Sequence, residues 1–316
     1  MKVFIQGSTG VLGRRLVRDF TALGHAVVGL TRSDAGDATV RGAGGTPVRG
    51  DPFDSAAMSK AAEGCEVVIR AATAIPRSAR IRPADFEETN ALRTEGTKAL
   101  LAAASRVGAK VFLQESIVWA SRPADGSPYD ESAPVADDPI NAAVAEAEHL
   151  AKAMAADGSL VTTTLRFGNF YSPDAWHTRY MGERLAERKM PVIGTGASTL
   201  AIIHSDDAAS AVVSAALRPR SGIFHVVDNE PAPVRDFLST FAAKIGARPP
   251  GHMSAALARL GAGRFTAEFF TIPMRTTSAP FREAFGWAPK YPTYREGLDQ
   301  VASEWRKEGF LVGQAD

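Results

Sequence analysis

A doubly wound α/β fold on a parallel sheet is what the sequence predicts, and three observations carry it. Short apolar, β-prone runs alternate with helical patterns through the first two thirds of the chain. A glycine-spaced turn joins the first such run to the first helix. With 45% hydrophobic, 8% aromatic and 22% charged residues, the 316-residue chain has the composition of a globular protein rather than a disordered or fibrous one. A single core stops growing at roughly 250–300 residues, so a second, smaller lobe is expected.

The elements follow in order. Residues 2–6 form the first strand, and Val11, Leu12, Leu16, Val17 and Phe20 recur at helical spacing up to Gly24. Further strands fall at 25–30, 47–49, 66–69 and 109–113, with helical patterns between them. One long helix is expected after Asp85, because Phe86, Leu92, Leu100, Leu101 and Val107 share a face that ends at Gly108. Residues 121–139 are rich in Pro, Asp, Gly and Ser and read as a surface loop near the strand ends, where function commonly sits. A helix over about 140–156, a strand at 160–166, a helix over about 175–188, a strand at 199–203, a helix over about 206–216 and a strand at 223–227 follow. Beyond Asn229 helices dominate, punctuated by Pro249-Pro250, Pro273 and Pro289. The expected division is a nucleotide-binding unit over 1–170, completed by about 199–228, and a smaller, mostly helical C-terminal lobe for substrate built from 171–198 and 229–316.

Charge and cysteine content narrow the partners. Lys and Arg number 36 against 35 Asp and Glu, a formal charge of +1, which gives no field that would favour nucleic acid or a membrane surface. No apolar stretch of about 18 residues occurs, and the N-terminus has no signal-peptide pattern. Cys65 stands alone, so no intrachain disulfide can form, and a cytoplasmic location is expected.

Gly7-Ser8-Thr9-Gly10-Val11-Leu12-Gly13 follows a strand and opens a helix, the context in which spaced glycines make a Rossmann-like dinucleotide site. The first glycine permits a tight turn, the second lets main chain approach a pyrophosphate, and the third lets helix pack on sheet. The diphosphate then rests on free N–H groups at the positive end of the helix. Which dinucleotide is favoured depends on the end of the second strand, where an acidic residue suits a ribose 2′-hydroxyl and a cation suits a 2′-phosphate. Arg32 in Thr31-Arg32-Ser33 offers a fork of donors to phosphate, which favours NADP(H). Arg32 as a plain solvated residue is the alternative, and nearby Asp34 keeps NAD(H) open.

With these pieces in order, the chain resembles the short-chain dehydrogenase/reductase superfamily, in particular its extended and atypical members, the NAD-dependent epimerase/dehydratase family. The resemblance adds Gly50-Asp51, Val67-Val68-Ile69-Arg70-Ala71-Ala72, Asn90 with Glu95-Gly96-Thr97, and Gln114-Glu115-Ser116. It continues through Leu165-Arg166-Phe167-Gly168-Asn169-Phe170-Tyr171, Ile203-His204-Ser205-Asp206-Asp207 and Phe285-Gly286-Trp287-Ala288-Pro289. It implies that Asp51, with Pro52 beside it, meets the adenine, that Ala71, Ala72 and Thr73 line the phosphates and ribose, and that Asn90 props the sheet or a bound water. It also implies a small-molecule substrate and allows a homodimer. Arg70 departs from the histidine usual at its place.

The catalytic pattern of that family is incomplete here. Ser116 fits the serine that polarises a carbonyl. The tyrosine four residues before a lysine has no counterpart, because residues four beyond the five tyrosines are Ala133, Ala175, Arg184, Arg295 and Leu298. Where that helix should start the chain reads Ile140-Asn141-Ala142-Ala143-Val144, which cannot transfer protons. Three readings follow. In the first, the chain is an NADP(H)-dependent oxidoreductase acting on a small organic carbonyl or alcohol, its proton coming from Ser116, Tyr171, His177, Tyr180, His204, a water or the substrate. The others are an epimerase or dehydratase with transient hydride transfer, and a non-catalytic NADP-binding protein.

Phe167, Gly168 and Asn169 follow the sixth strand, where the nicotinamide should lie, although Phe167 equally suits a core. Residues 173–180 are dense in aromatic and polar groups and offer Tyr180 and His177 toward substrate. Trp119 either lines the pocket or is simply buried. Asp206 and Asp207, which follow His204, read as carboxylates that cap the next helix, a structural cluster. Six scattered histidines and one cysteine make no metal pattern.

Overall fold

The computed structural model describes residues 1–76, 81–156 and 158–310. The strands are β1 (Lys2–Gln6), β2 (Ala26–Thr31), β3 (Thr46–Arg49), β4 (Val67–Arg70), β5 (Val111–Ile117), β6 (Val161–Phe167), β7 (Asn169–Tyr171), β8 (Val192–Ile193), β9 (Thr199–Leu200), β10 (Ile202–His204), β11 (Gly222–Val226), β12 (Ala232–Pro233) and β13 (His252–Met253). Seven of them form one sheet in the order β11-β6-β5-β4-β1-β2-β3, and every pairing in it is parallel. The chain winds outward one way through β2 and β3, then returns past β1 and winds the other way from β4. That reversal opens a crevice beyond the carboxyl ends of β1 and β4.

Alternation along the strands explains the two layers of helix. Val3, Ile5, Val67, Ile69, Val111 and Leu113 belong to one buried cluster, which includes residues of α1 (Val11–Ala22). Phe4, Val68 and Phe112 point the other way into a second cluster. That second cluster draws on α3 (Ser55–Ala61) and α5 (Glu95–Arg106), which follow α2 (Asp34–Gly42) and α4 (Glu87–Arg93) in the chain. The remaining helices are α6 (Ala142–Met154), α7 (Trp176–Ala186), α8 (Ser205–Leu217), α9 (Val234–Lys244), α10 (Ala255–Ala262), α11 (Arg264–Thr271), α12 (Ala279–Phe285) and α13 (Tyr294–Glu308). α8 lies against α1, and its buried face is nearly all small: Ala208, Ala209, Ala211, Ala215 and Ala216 let the two helices approach closely.

A third cluster lies outside the sheet. Tyr171, Leu185, Val192, Phe237, Phe241, Tyr294, Leu298 and Trp305 bury one another there, drawing on residues both before and after β11. The far C-terminus is shared between cores, since Phe281, Phe285 and Trp287 pack with the sheet cluster. Two sequence expectations are corrected. The long helix after Asp85 is a 3-10 turn at Pro83–Phe86 followed by α4 and α5, with a break at Thr94. The Thr94 hydroxyl donates to the Asn90 carbonyl at 3.0 Å, a back-bond that bends helices. The strand expected at 199–203 is two short ones, β9 pairing with β12 and β10 with β7.

Candidate functional site

β1 delivers the chain into the crevice at Gly7, whose φ of +89° favours glycine and whose hypothetical Cβ would lie 2.5 Å from the Ala72 nitrogen. The loop after β1 is therefore seated directly on the loop after β4. A Cβ on Gly13 would sit 2.0 Å from the Gly7 carbonyl oxygen, so the first turn of α1 also packs against that loop. Gly10 differs, because a Cβ there would meet only the Gly7 oxygen, at 3.4 Å. Its missing side chain leaves open space on the cleft side. Gly10 is also the N-cap of α1 and supplies no side-chain cap, and the first turn of α1 has no acidic residue. This helix start thus presents N–H donors to a ligand rather than to its own chain.

Around this loop a cleft of about 770 Å³ crosses the carboxyl edge of the sheet. It runs from Arg32 and Ser33 at the end of β2, past Gly7, Thr9, Gly10, Val11 and Leu12, to Ala71, Ala72 and Thr73 after β4 and Glu115 on β5. Three steps between neighbouring strands make about 14 Å. That suits two nucleotides joined through a diphosphate, with the junction over Gly10.

At the β2 end Arg32 has a side chain 70% exposed and lies 3.6 Å from Glu88, itself exposed, a pairing loose enough to exchange. Ser33 caps α2 by accepting from the Gly36 nitrogen at 3.1 Å. Asp34 turns away and pairs with Arg49. Arg32 lines the cleft here together with Glu88, and its guanidinium fits a 2′-phosphate. Pro52 lines the same region, and its carbonyl accepts from Gln6 at 3.1 Å, whereas Asp51 is exposed and caps its own turn through the Phe53 nitrogen.

The sequence-derived residues divide as follows. Ser8 is fully buried and its hydroxyl donates to the Leu30 carbonyl at 2.8 Å, so its side chain ties the loop to β2 and does not face the cleft. Gly13 is taken up by packing. Asn90 donates to the Pro139 carbonyl at 3.3 Å and joins α4 to the segment before α6. Phe167 is core, in edge contact with Phe170, which lines the cleft in its place. Gly168 allows the β7 turn to pass the Ala201–Ile202 backbone, and the Asn169 amide donates to the Ala201 carbonyl at 2.9 Å. Trp119 packs edge-on against Phe265 and Phe269 of α11. Tyr180 is 45% exposed on the outer side of α7 beside Arg184.

Three of the proton-transfer candidates, Ser116, Tyr171 and His177, are each committed elsewhere. The Ser116 hydroxyl donates to Glu148 on α6 at 2.7 Å, and Glu148 is held in a buried two-point pair with Arg166 on β6. Tyr171 sits in the third cluster and donates to Asp228 at 3.0 Å; burial, and then the Asp228 charge, push its phenol well above its ordinary range. His177 does line the cleft, but Nε2 donates to the Phe170 carbonyl and burial lowers its pKa, leaving a neutral ring without a free proton. Ile140 and Val144, where the tyrosine and lysine would stand, are buried and apolar.

A latch joins α1 to the loop before α7. Arg15 donates to Asp174 and to Asp206, each at 2.7 Å, and Arg14 adds a bond to Asp174. Burial would raise the Asp174 carboxyl, but these guanidinium groups outweigh it and hold it well below the usual range. His204, rather than the carboxylates expected, caps α8 by accepting from the Asp206 nitrogen at 3.2 Å, while Asp206 and Asp207 accept from Arg15 and from the Lys290 and Tyr291 nitrogens. Among the described residues no group of three His, Cys, Asp or Glu side chains is placed to hold a metal ion, and no helix is long and apolar enough to cross a membrane.

Sequence reasoning missed Glu115. It lines the cleft beside Ser116, which points to the other side of β5, and the buried Arg70 and Arg93 flank it. Period-two alternation says that one of the two must face the cleft but not which; the one ionisable side chain in a fully buried strand was the available signal.

The fold and the cleft define a dinucleotide-binding enzyme of the short-chain dehydrogenase/reductase type. The chain belongs to the NAD-dependent epimerase/dehydratase family, whose profile matches residues 3–227. It is 35% identical over 305 residues to 3-diazoavenalumate denitrifying reductase of a Streptomyces species, covering 94% of this chain and 99% of that one. It is 28% identical over 332 residues to 2-alkyl-3-oxoalkanoate reductase of Stenotrophomonas maltophilia, covering 95% and 98%. In fold it is similar to a human epimerase family protein solved with NADPH, with a TM-score of 0.79 at 20% identity over 96% of this chain and 99% of that one. The chain is accordingly an oxidoreductase that uses a nicotinamide dinucleotide.

Proposed function

We propose that this protein is an NADP(H)-dependent reductase of a small organic acceptor, a carbonyl compound in the first instance. The observation that carries the cofactor choice is Arg32 facing the cleft at the β2 end while Asp34 is held by Arg49. When bound, the nicotinamide supplies hydride. Gly10 and the start of α1 would hold the diphosphate, and Ala71, Ala72 and Thr73 would form a wall flat enough for the ribose. Phe170 and His177 would close the far end and exclude water from it.

Ile140 and Val144 count against an epimerase or dehydratase, which needs a strong base at the reacting carbon. The same residues favour a second reading, supported by the relative named for a denitrifying reduction of a diazo compound. Replacing an aryldiazonium group by hydride forms a C–H bond, breaks the C–N bond and lets dinitrogen leave with the bonding pair. No proton is taken up, so a site without the tyrosine and lysine suffices.

Fluorescence titrations with NADPH and NADH test the cofactor assignment. Losing a charge-assisted contact is worth about 1.5–3 kcal/mol, so Arg32→Ala is expected to weaken NADPH by about 10- to 100-fold. NADH should be unchanged. Equal affinities for both, untouched by the substitution, would refute NADP(H) preference. Failure of NADPH oxidation with any carbonyl or diazonium acceptor, despite tight binding, would refute a reductase.

A further inference from the structure

Glu115 occupies the carboxyl end of β5 with its side chain on the cleft wall. Its Oε2 is buried without a hydrogen-bond partner, and the nearest cation, Arg70 Nη2 on β4, is 3.7 Å away, beyond hydrogen-bond reach. Arg93 on α4 is 1% exposed, and none of its three guanidinium nitrogens has a hydrogen-bond partner among the described residues. The Arg70 Nε is also unsatisfied, while its Nη1 and Nη2 donate to the Ala72 and Glu115 backbone carbonyls. Buried guanidinium donors left unmet are costly, so a cluster that keeps them invites an acceptor. Glu148 of α6, whose charge also acts on Arg70 and Arg93, is itself held in the pair with Arg166 of β6.

We infer that Glu115 is the proton donor at this site, and that Arg70 and Arg93 are positioned to receive the carboxylate it becomes. The inference rests on the reductase reading. As hydride adds to the carbonyl carbon, the Glu115 carboxyl gives its proton to the carbonyl oxygen. The C=O π bond is replaced by C–H and O–H bonds, the nicotinamide is oxidised, and Glu115 is left as an anion that solvent later reprotonates. Burial favours the starting state, raising the Glu115 carboxyl above its ordinary range against the opposing pull of Arg93 and Arg70. The proton is present below that raised pKa and lost above it, so carbonyl reduction should fall as pH rises through it.

Two measurements on the whole chain decide the matter. In protein labelled with carbon-13 at the glutamate carboxyls and saturated with NADP+, the carboxyl that is missing from Glu115→Gln should titrate above the other glutamates. In single-turnover NADPH oxidation, Glu115→Gln should slow 4-nitrobenzaldehyde reduction by about 10²- to 10⁴-fold and remove its alkaline fall. Reduction of 4-methoxybenzenediazonium, which needs no proton, should keep its rate. A Glu115 carboxyl that titrates with or below the other glutamates, an unchanged aldehyde rate, or equal losses with both acceptors would each overturn the inference. If the unaltered protein binds NADPH but reduces neither probe, the reductase reading fails, and the carboxyl resonance alone still judges the protonation of Glu115.

Discussion

Gly10→Ala should abolish useful cofactor binding while leaving the protein folded, and Gly13→Ala should damage both. The methyl group at position 10 meets only the Gly7 oxygen at 3.4 Å, so the chain itself tolerates it. The cost to stability is that of a poorer N-cap, no more than about 1 kcal/mol. The same methyl projects over the start of α1, where the diphosphate must come within hydrogen-bond distance of main-chain nitrogens. A loss on the order of 100-fold in NADPH affinity is expected, equivalent to about 2.7 kcal/mol. At position 13 the methyl would lie 2.0 Å from the Gly7 oxygen and 2.7 Å from the Ser8 Cα, both backbone neighbours that no rotamer change can relieve. Either the loop or α1 must move, which costs about 1–3 kcal/mol and displaces the donors. Thermal unfolding and NADPH titration on the two variants separate the cases. A Gly10→Ala protein with normal affinity would show that the ligand does not approach this loop.

Much of this arrangement was legible in the sequence because it rests on backbone. A strand, three glycines and a helix state their geometry through residue type, and alternating patterns state which way a sheet is wound. Arg32 was legible too, since its position after β2 follows from the strand boundary. Facing directions were harder. Ser116 and Glu115 are adjacent on one buried strand, and only the partner that each finds across the fold, Glu148 for the first and the cleft for the second, decides their roles. Tyr171 reads like a site residue because it follows β6, but β7 carries it past the sheet into the third cluster, where Gly297 makes room for its ring. Thr94 broke a helix that hydrophobic periodicity alone made continuous, through a side-chain bond that a periodicity count does not contain.

Glu148→Ala is expected to be among the most destabilising single changes in the chain, although Glu148 never touches the cleft. Its carboxylate accepts from Arg166 at 2.9 and 2.7 Å and from Ser116 at 2.7 Å, and it is 6% exposed. Removing it strands Arg166, itself 3% exposed, with only Ser121, two carbonyls and the His225 ring nearby at 3.1–3.5 Å. His225 cannot compensate, because an imidazole is never anionic; burial and then the Arg166 charge lower its pKa to about 3 and keep it neutral. Breaking a buried pair from one side costs about 3–5 kcal/mol. At about 2 °C per kcal/mol for a chain of this size, the melting temperature should fall by about 6–10 °C. The double variant Glu148→Leu with Arg166→Met should recover most of that, because it removes the stranded charge along with its partner. Ser116→Ala, which deletes one bond to the same carboxylate, should cost about 1.5–3 kcal/mol and leave NADPH affinity unchanged. If Ser116→Ala instead keeps full stability but loses turnover, the serine acts in the reaction after all, and Glu148 serves to orient it.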